Sequence, residues 1–190
     1  MRTAVNYKLC LWLSVLLSLS AIGVNADDFA AVIKNAQMDA RDDGYMLSAE
    51  ISYKLSEQVK EALQSGVPLF WNIHIKIHRP RHMLWQKTLA ETTLRYRLQY
   101  HALLNMYRVR DEVNGGIYNF STLPAALDLM SNLRVAHLAD HAGLAQEKQL
   151  LIELKVEFDR SALPLPLRTI AYLNRQWYLS SDWTVWPWKK

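Results

Sequence analysis

Three features of the chain predict a mainly β fold, an antiparallel two-sheet β-sandwich. Apolar and polar residues alternate with a period of two through several long segments. Asp43-Gly44 and Asn114-Gly115-Gly116 stand between extended stretches as hairpin turns. The other half of these segments is largely polar or charged, as expected of sheets with one face on the core and the other in water. Seven or eight strands with two short helices, immunoglobulin-like in outline, satisfy this pattern.

The stretch around Val32 to Ala40 reads as the first strand, turning at Asp43-Gly44 into Tyr45 to Leu55. There Leu47, Ala49, Ile51 and Tyr53 face inward and Ser48, Glu50, Ser52 and Lys54 outward. Ser56 can cap a helix from Glu57 to Gln64, with Gly66 as the stop. From Leu69 to His78 the inward set is Leu69, Trp71, Ile73, Ile75 and Ile77. Thr93 to Tyr100 sets Leu94, Tyr96, Leu98 and Tyr100 against Thr93, Arg95, Arg97 and Gln99. Tyr107 to Arg110 and Ile117 to Phe120 flank the second turn. Ser121 or Thr122 can cap a helix through Leu133, with Pro124 near its start. Gln149 to Asp159 alternates again, with Leu150, Ile152, Leu154, Val156 and Phe158 inward. Pro164 and Pro166 mark a loop or an edge crossing. In the last stretch Trp177, Leu179, Trp183 and Val185 read as core if the chain is extended, leaving Trp186 and Trp188 on the opposite face.

The N-terminus carries an address. Arg2 and Lys8 precede an apolar stretch, Leu9 to Val24, which ends in Val24-Asn25-Ala26 and then Asp27-Asp28. This is the plan of a secretory signal peptide, residues 1–26, with cleavage expected after Ala26. The apolar core is interrupted by Ser14, Ser18 and Ser20, which argues against a retained bilayer span. Cleavage removes Arg2, Lys8 and the single cysteine, Cys10, leaving residues 27–190 as one domain without disulfides. Export without thiol chemistry points to a bacterial periplasm. A formal charge of +4 for the whole chain gives no electrostatic case for nucleic acid.

Four segments carry a family resemblance. They are Gly66-Val67-Pro68-Leu69 with the strand ending Arg79-Pro80-Arg81; Thr93-Leu94-Arg95-Tyr96-Arg97-Leu98-Gln99-Tyr100 with Tyr107 and Val109; Asp159 through Arg168; and Trp177-Tyr178-Leu179-Ser180-Ser181-Asp182-Trp183. In this order they resemble the proteobacterial domain-of-unknown-function family 4390. The resemblance implies a secreted bacterial domain and brings no activity, catalytic residue or cofactor with it. Its members often lie beside genes for a membrane sensor kinase, which implies a role in envelope signalling and an envelope or inner-membrane protein as partner.

Catalytic and metal motifs are weak. His74 and His78 share a strand face about 13 Å apart, too far for one ion. His137 and His141, with Asp140, have a workable spacing without an evident third ligand. The chain lacks a Gly-x-Ser-x-Gly elbow and a His-Glu-x-x-His pair, and Glu153, Glu157 and Asp159 beside Lys155 read as cross-strand ion pairs. A non-enzymatic domain without cofactor or metal is therefore expected. Two candidate binding regions remain. Arg79, Arg81, Arg95 and Arg97, with Arg108 and Arg110, form a stripe if their strands are neighbours, suited to carboxylates or phosphates. Trp85, Trp186 and Trp188 supply aromatic surface, and the C-terminal pair either packs on the sandwich or awaits a partner or membrane interface. The leading expectation is a protein-binding periplasmic domain. A small-ligand or glycan binder is the alternative, ahead of an uncharacterised hydrolase.

Overall fold

A computed structural model describes residues 30–41, 44–80, 87–136, 144 and 149–189. The expected signal peptide and cleavage site, Arg81, Trp85, His137, Asp140 and His141 lie outside the described residues. Among the described residues, two antiparallel sheets form as the alternation predicts, built from nine strands where seven or eight are expected. The smaller has the order β1 (Ala31–Arg41), β2 (Gly44–Tyr53), β7 (Asn132–Val135). The larger runs β6 (Ile117–Phe120), β5 (Met106–Asp111), β4 (Lys87–His101), β3 (Leu69–Arg79), β8 (Gln149–Phe158), β9 (Thr184–Lys189).

The two inner faces make one core. Tyr45, Leu47, Ala49 and Ile51 of β2 are buried in the same cluster as Leu69 through Ile77 of β3 and Leu150 through Phe158 of β8. In β1 a bulge between Ile33 and Asn35 leaves Lys34 and Asn35 consecutively exposed, yet keeps Ala31, Ile33, Ala36 and Met38 buried. Both hairpins form where the turn residues place them. Arg41 pairs with Gly44, and Gly115 takes a φ of 76° in the turn that lets Asp111 N–H donate to the Gly116 carbonyl at 2.8 Å.

Three helices are described, one more than the sequence suggests. Helix α1 (Glu57–Gln64) is capped as expected, the Ser56 hydroxyl accepting from Val59 N–H. Helix α2 (Leu123–Ser131) is capped by Thr122 but ends before Leu133, because Asn132–Val135 leave it to pair with β2. The additional helix is α3 (Leu165–Leu173), where a loop or edge crossing is expected from the prolines. Pro164 precedes it and Pro166 sits in its first turn, where no backbone donor is needed and proline's φ is already helical.

The C-terminal stretch keeps half of the expected core, Trp177 and Leu179, and of the two fates open to Trp186 and Trp188 shows packing on the sandwich, whereas Trp183 and Val185 face outward. Trp177 and Leu179 are buried, but in a 3-10 turn (Arg175–Trp177) and an irregular segment after it. The strand starts only at Thr184, so its alternation has its own phase. Trp183 and Val185 are 43% and 47% exposed, whereas Trp186 and Trp188 pack against the core. Trp188 meets the Tyr45 ring edge-on at 5.7 Å and donates its indole N–H to the Met38 carbonyl. It thus ties the edge of the small sheet to the last strand of the large one.

Candidate functional site

The outer face of the large sheet collects the arginines in a stripe, as their spacing predicts. Arg97 lies opposite Arg110 and beside Phe70, while Arg95 lies opposite Asn72. Register also supplies each of these with a neutralising partner. Arg95 donates to Asp159 at 2.8 Å and to Asn72 at 3.0 Å, and lies over the Phe70 ring at 4.8 Å. Arg97 and Arg110 share Glu112 at 3.0 and 3.5 Å, and Arg108 donates to Asn119. Arg79 stands half-buried at the end of β3. The stripe expected to bind an anion is largely occupied by its own carboxylates.

Other polar side chains on this face are similarly engaged. His74 contacts Thr93 and Glu157, both at 3.1 Å, His78 pairs with Glu153 at 3.1 Å, and Lys76 pairs with Glu91 at 3.2 Å. Trp183 lies over this ladder, with Lys76 at 5.1 Å and Lys155 at 6.0 Å from its ring. Partial burial pushes the Asp159 carboxyl up, but hydrogen bonds from Ser161 and Arg95, the Arg95 charge and the Ala162 amide outweigh it. The net result holds Asp159 below the usual carboxylate range. Asp111, inside the sandwich edge, spends its oxygens on the Val113 and Asn114 amides and the Asn114 side chain. Burial, then Asp111 and Tyr118, pushes the nearby Tyr96 hydroxyl up to about 12.

A different region presents unsatisfied surface. At one pole of the sandwich, α1, α3 and the 3-10 turn at Arg175–Trp177 pack together. Ser56 donates to the Gln176 carbonyl at 2.9 Å, and Asn174 donates to the Gln58 side-chain oxygen at 2.8 Å. Between the helices runs a groove of about 490 Å³, walled by Ala62, Val67, Leu167, Ile170 and Trp177. The indole N–H of Trp177 is buried and has no hydrogen-bond acceptor among the described residues.

Helix α3 turns apolar side chains outward. At 100° per residue Ala171 and Leu167 face the protein, while Leu165, Thr169, Ile170, Tyr172 and Leu173 fan across the solvent side. Leu165 and Leu173 are 73% and 82% exposed. Arg168 is the sole charged residue of the helix and folds back onto the Leu163 carbonyl at 3.1 Å. Arg160 is clamped between the Tyr172 and Tyr178 rings, 4.7 and 4.5 Å from their centres. From Arg160 to Ser181 there are three arginines and no Asp or Glu. None of the three, Arg160, Arg168 or Arg175, forms an ion pair with a carboxylate among the described residues. Sequence reasoning missed this pole because its prolines read as loop. The available signal was the acid-free run itself, with Leu, Ile and Tyr between its arginines.

The family model described as Domain of unknown function (DUF4390) matches residues 29–187. The chain belongs to this family. The match takes in both sheets and the helical pole, so the architecture above is that of a DUF4390 domain. No curated protein and no solved structure matches it.

Proposed function

We propose that this DUF4390 protein is a non-enzymatic domain of the bacterial envelope, exported to the periplasm, that binds another protein through the pole built by α1 and α3. The observation that carries this reading is the outward apolar face of α3 beside an apolar groove. A helix normally buries its apolar stripe, and a rimmed exposed patch of this kind marks an interaction surface. The arginines and lysines of the large sheet are compatible with the same reading, since Lys76, Arg95 and Arg97 pair with carboxylates of the chain itself. The glycan-binding alternative loses two of its aromatic platforms, because Trp186 and Trp188 are turned into the core. A membrane-bound signalling protein is the partner class that the family resemblance suggests.

A photo-cross-linking residue placed at position 173 in cells, against one at Lys155 on the sheet face, tests the site. A discrete protein adduct from position 173 and none from position 155 is expected. Absence of any adduct at 173, or the same adducts from both positions, would overturn the proposal.

A further inference from the structure

We propose that two copies of this chain join through β6, edge to edge and antiparallel, about a twofold axis beside Tyr118. This goes beyond the protein-binding reading of the pole and rests on a different part of the molecule.

Backbone pairing is the first argument. Antiparallel strands alternate between residue pairs that exchange hydrogen bonds and pairs that do not. Two bonds set that phase at the outer end of the large sheet. Glu112 N–H donates to the Arg95 carbonyl, so by alternation Arg110 and Arg108 direct their backbone groups toward β4. Asp111 N–H donates to the Gly116 carbonyl, so Val109 and Tyr107 direct theirs toward Tyr118 and Phe120. Ile117 and Asn119 therefore point N–H and C=O away from β5. Among the described residues β6 has no strand on that side, and no backbone bond outside the ladder reaches either residue. With the axis at Tyr118, Ile117 of each copy lies opposite Asn119 of the other. Both of these pairs exchange bonds, and the two Tyr118 residues meet between them as a non-bonded pair.

The lack of edge protection is the second. Edges of natural sheets are blunted by charge, proline, bulges or cover. Strand β1 has its bulge after Ile33 and its Met38 carbonyl taken by Trp188, β9 contains Pro187, and β7 contains Arg134. Strand β6, Ile-Tyr-Asn-Phe, has only its shortness, and Ile117 and Tyr118 are 52% and 47% exposed.

Charge and symmetry identify the occupant as a second copy. β6 carries no charged residue with which to select an oppositely charged strand. The neighbouring Arg108 and Arg110 are engaged by Asn119 and Glu112. In the joined sheet Arg108 of one copy and Arg110 of the other stand three strand spacings apart, about 14 Å. That exceeds the screening length of about 8 Å at physiological salt, so their repulsion is weak. The contact uses the same patch on both copies and closes at two. The turn after α1 is held by Gln99, in line with Arg108 and Asn119, which places the pole at the Phe120 end of β6. Antiparallel joining thus sends the two poles to opposite ends and leaves both uncovered.

The test is sedimentation of the purified protein over rising concentration. A short edge makes a weak dimer, so the mass should climb with concentration toward twice that of one chain and stop there. Ile117→Pro removes an outward N–H while the ladder to β5 runs through Tyr118 and Phe120. With an unchanged thermal midpoint, it should stay at the mass of one chain throughout. Leu173→Asp, at the pole, should dimerise like the parent. In a Cys10→Ser background, Tyr118→Cys should oxidise to a disulfide-linked dimer, because a non-bonded antiparallel pair has the right Cα separation. Val113→Cys, exposed but off the axis, should not. A parent that keeps the mass of one chain at every concentration overturns the proposal. So does a dimer that survives in folded Ile117→Pro, or Val113→Cys linking as readily as Tyr118→Cys. If Ile117→Pro fails to fold, the two cysteine variants decide. A dimer lost with Leu173→Asp but kept with Ile117→Pro would place self-association at the pole instead.

Discussion

The outer face of the large sheet and the helical pole both carry arginines beside aromatic rings, yet they have opposite electrostatic fates. On the sheet, Arg95, Arg97 and Arg110 meet Asp159 and Glu112 within 3.5 Å. At the pole, Arg160, Arg168 and Arg175 rest on rings or backbone carbonyls, or extend toward water. Cross-strand register brings residues far apart in sequence side by side, so a sheet face readily recruits counter-charges from its neighbours. The segment that forms α3 and the 3-10 turn contains no acid of its own. Clustered arginines therefore mean little until their partners are known.

The largest expected effect separates interior from pole. Ile75 is 0% exposed in β3, so Ile75→Asp must bury a charge or neutralise it at several kcal/mol. That rivals the total stability of a typical domain, about 5–15 kcal/mol. Leu173→Asp, at a site 82% exposed, should stay within about 0.5 kcal/mol of the parent in denaturant titration while losing its cross-linked partner. A Leu173→Asp chain that unfolds as readily as Ile75→Asp would make α3 part of the core and end the comparison.

The tryptophans come next. Trp188 packs on Tyr45 and bonds the Met38 carbonyl, so Trp188→Ala should cost about 3–5 kcal/mol. Trp183 lies over lysines on the outer face, and Trp183→Ala should cost at most about 1 kcal/mol. Equal denaturation midpoints for the two variants would mean that the strand phase assigned to β9 is wrong.

How far the sequence could be read follows from where phase and register are local. The inward sets of β2, β3 and β8 are visible in the alternation because one continuous strand keeps one phase. The outward turn of Trp183 and Val185 is not visible in the alternation, because the irregular segment 178–183 between the 3-10 turn and β9 breaks the phase that a continuous strand from Trp177 would keep. The arginine stripe was legible, since Arg95 and Arg97 share a face by spacing alone. Its neutralisation was not, because Asp159 reaches Arg95 only through the pairing of β3 with both β4 and β8. Helix α3 was hidden by reading Pro164 and Pro166 as breakers when they stand at a helix start.

Asp159 tests the sheet side of the comparison through pH. Its depressed pKa means that the ionised form is favoured in the fold, so its contribution is complete above the ordinary carboxylate pKa of about 3.9 and is lost as pH falls below it. Asp159→Asn should lower stability by about 1–3 kcal/mol at neutral pH, through lost charge-assisted hydrogen bonds. The gap to the parent should close as the pH is taken down toward 3. A gap that is the same at both ends of the titration would show that the carboxylate charge contributes nothing there.

The smallest effect is the sharpest in sign. Arg97→Gln removes one of the two guanidiniums that share Glu112, and Arg110 still holds that carboxylate. A partly exposed pair is worth about 0–1 kcal/mol, so the thermal midpoint should fall slightly at low salt and the deficit should vanish as salt is added. Arg175→Gln removes an exposed cation with no carboxylate among the described residues, in a segment that also holds Arg160 and Arg168. Relief of like-charge repulsion should leave the midpoint unchanged or raise it at low salt, again converging at high salt. Opposite signs for two nominally identical substitutions would locate the unneutralised charge at the pole. A fall of equal size for Arg175→Gln would instead mean that the folded chain already satisfies Arg175.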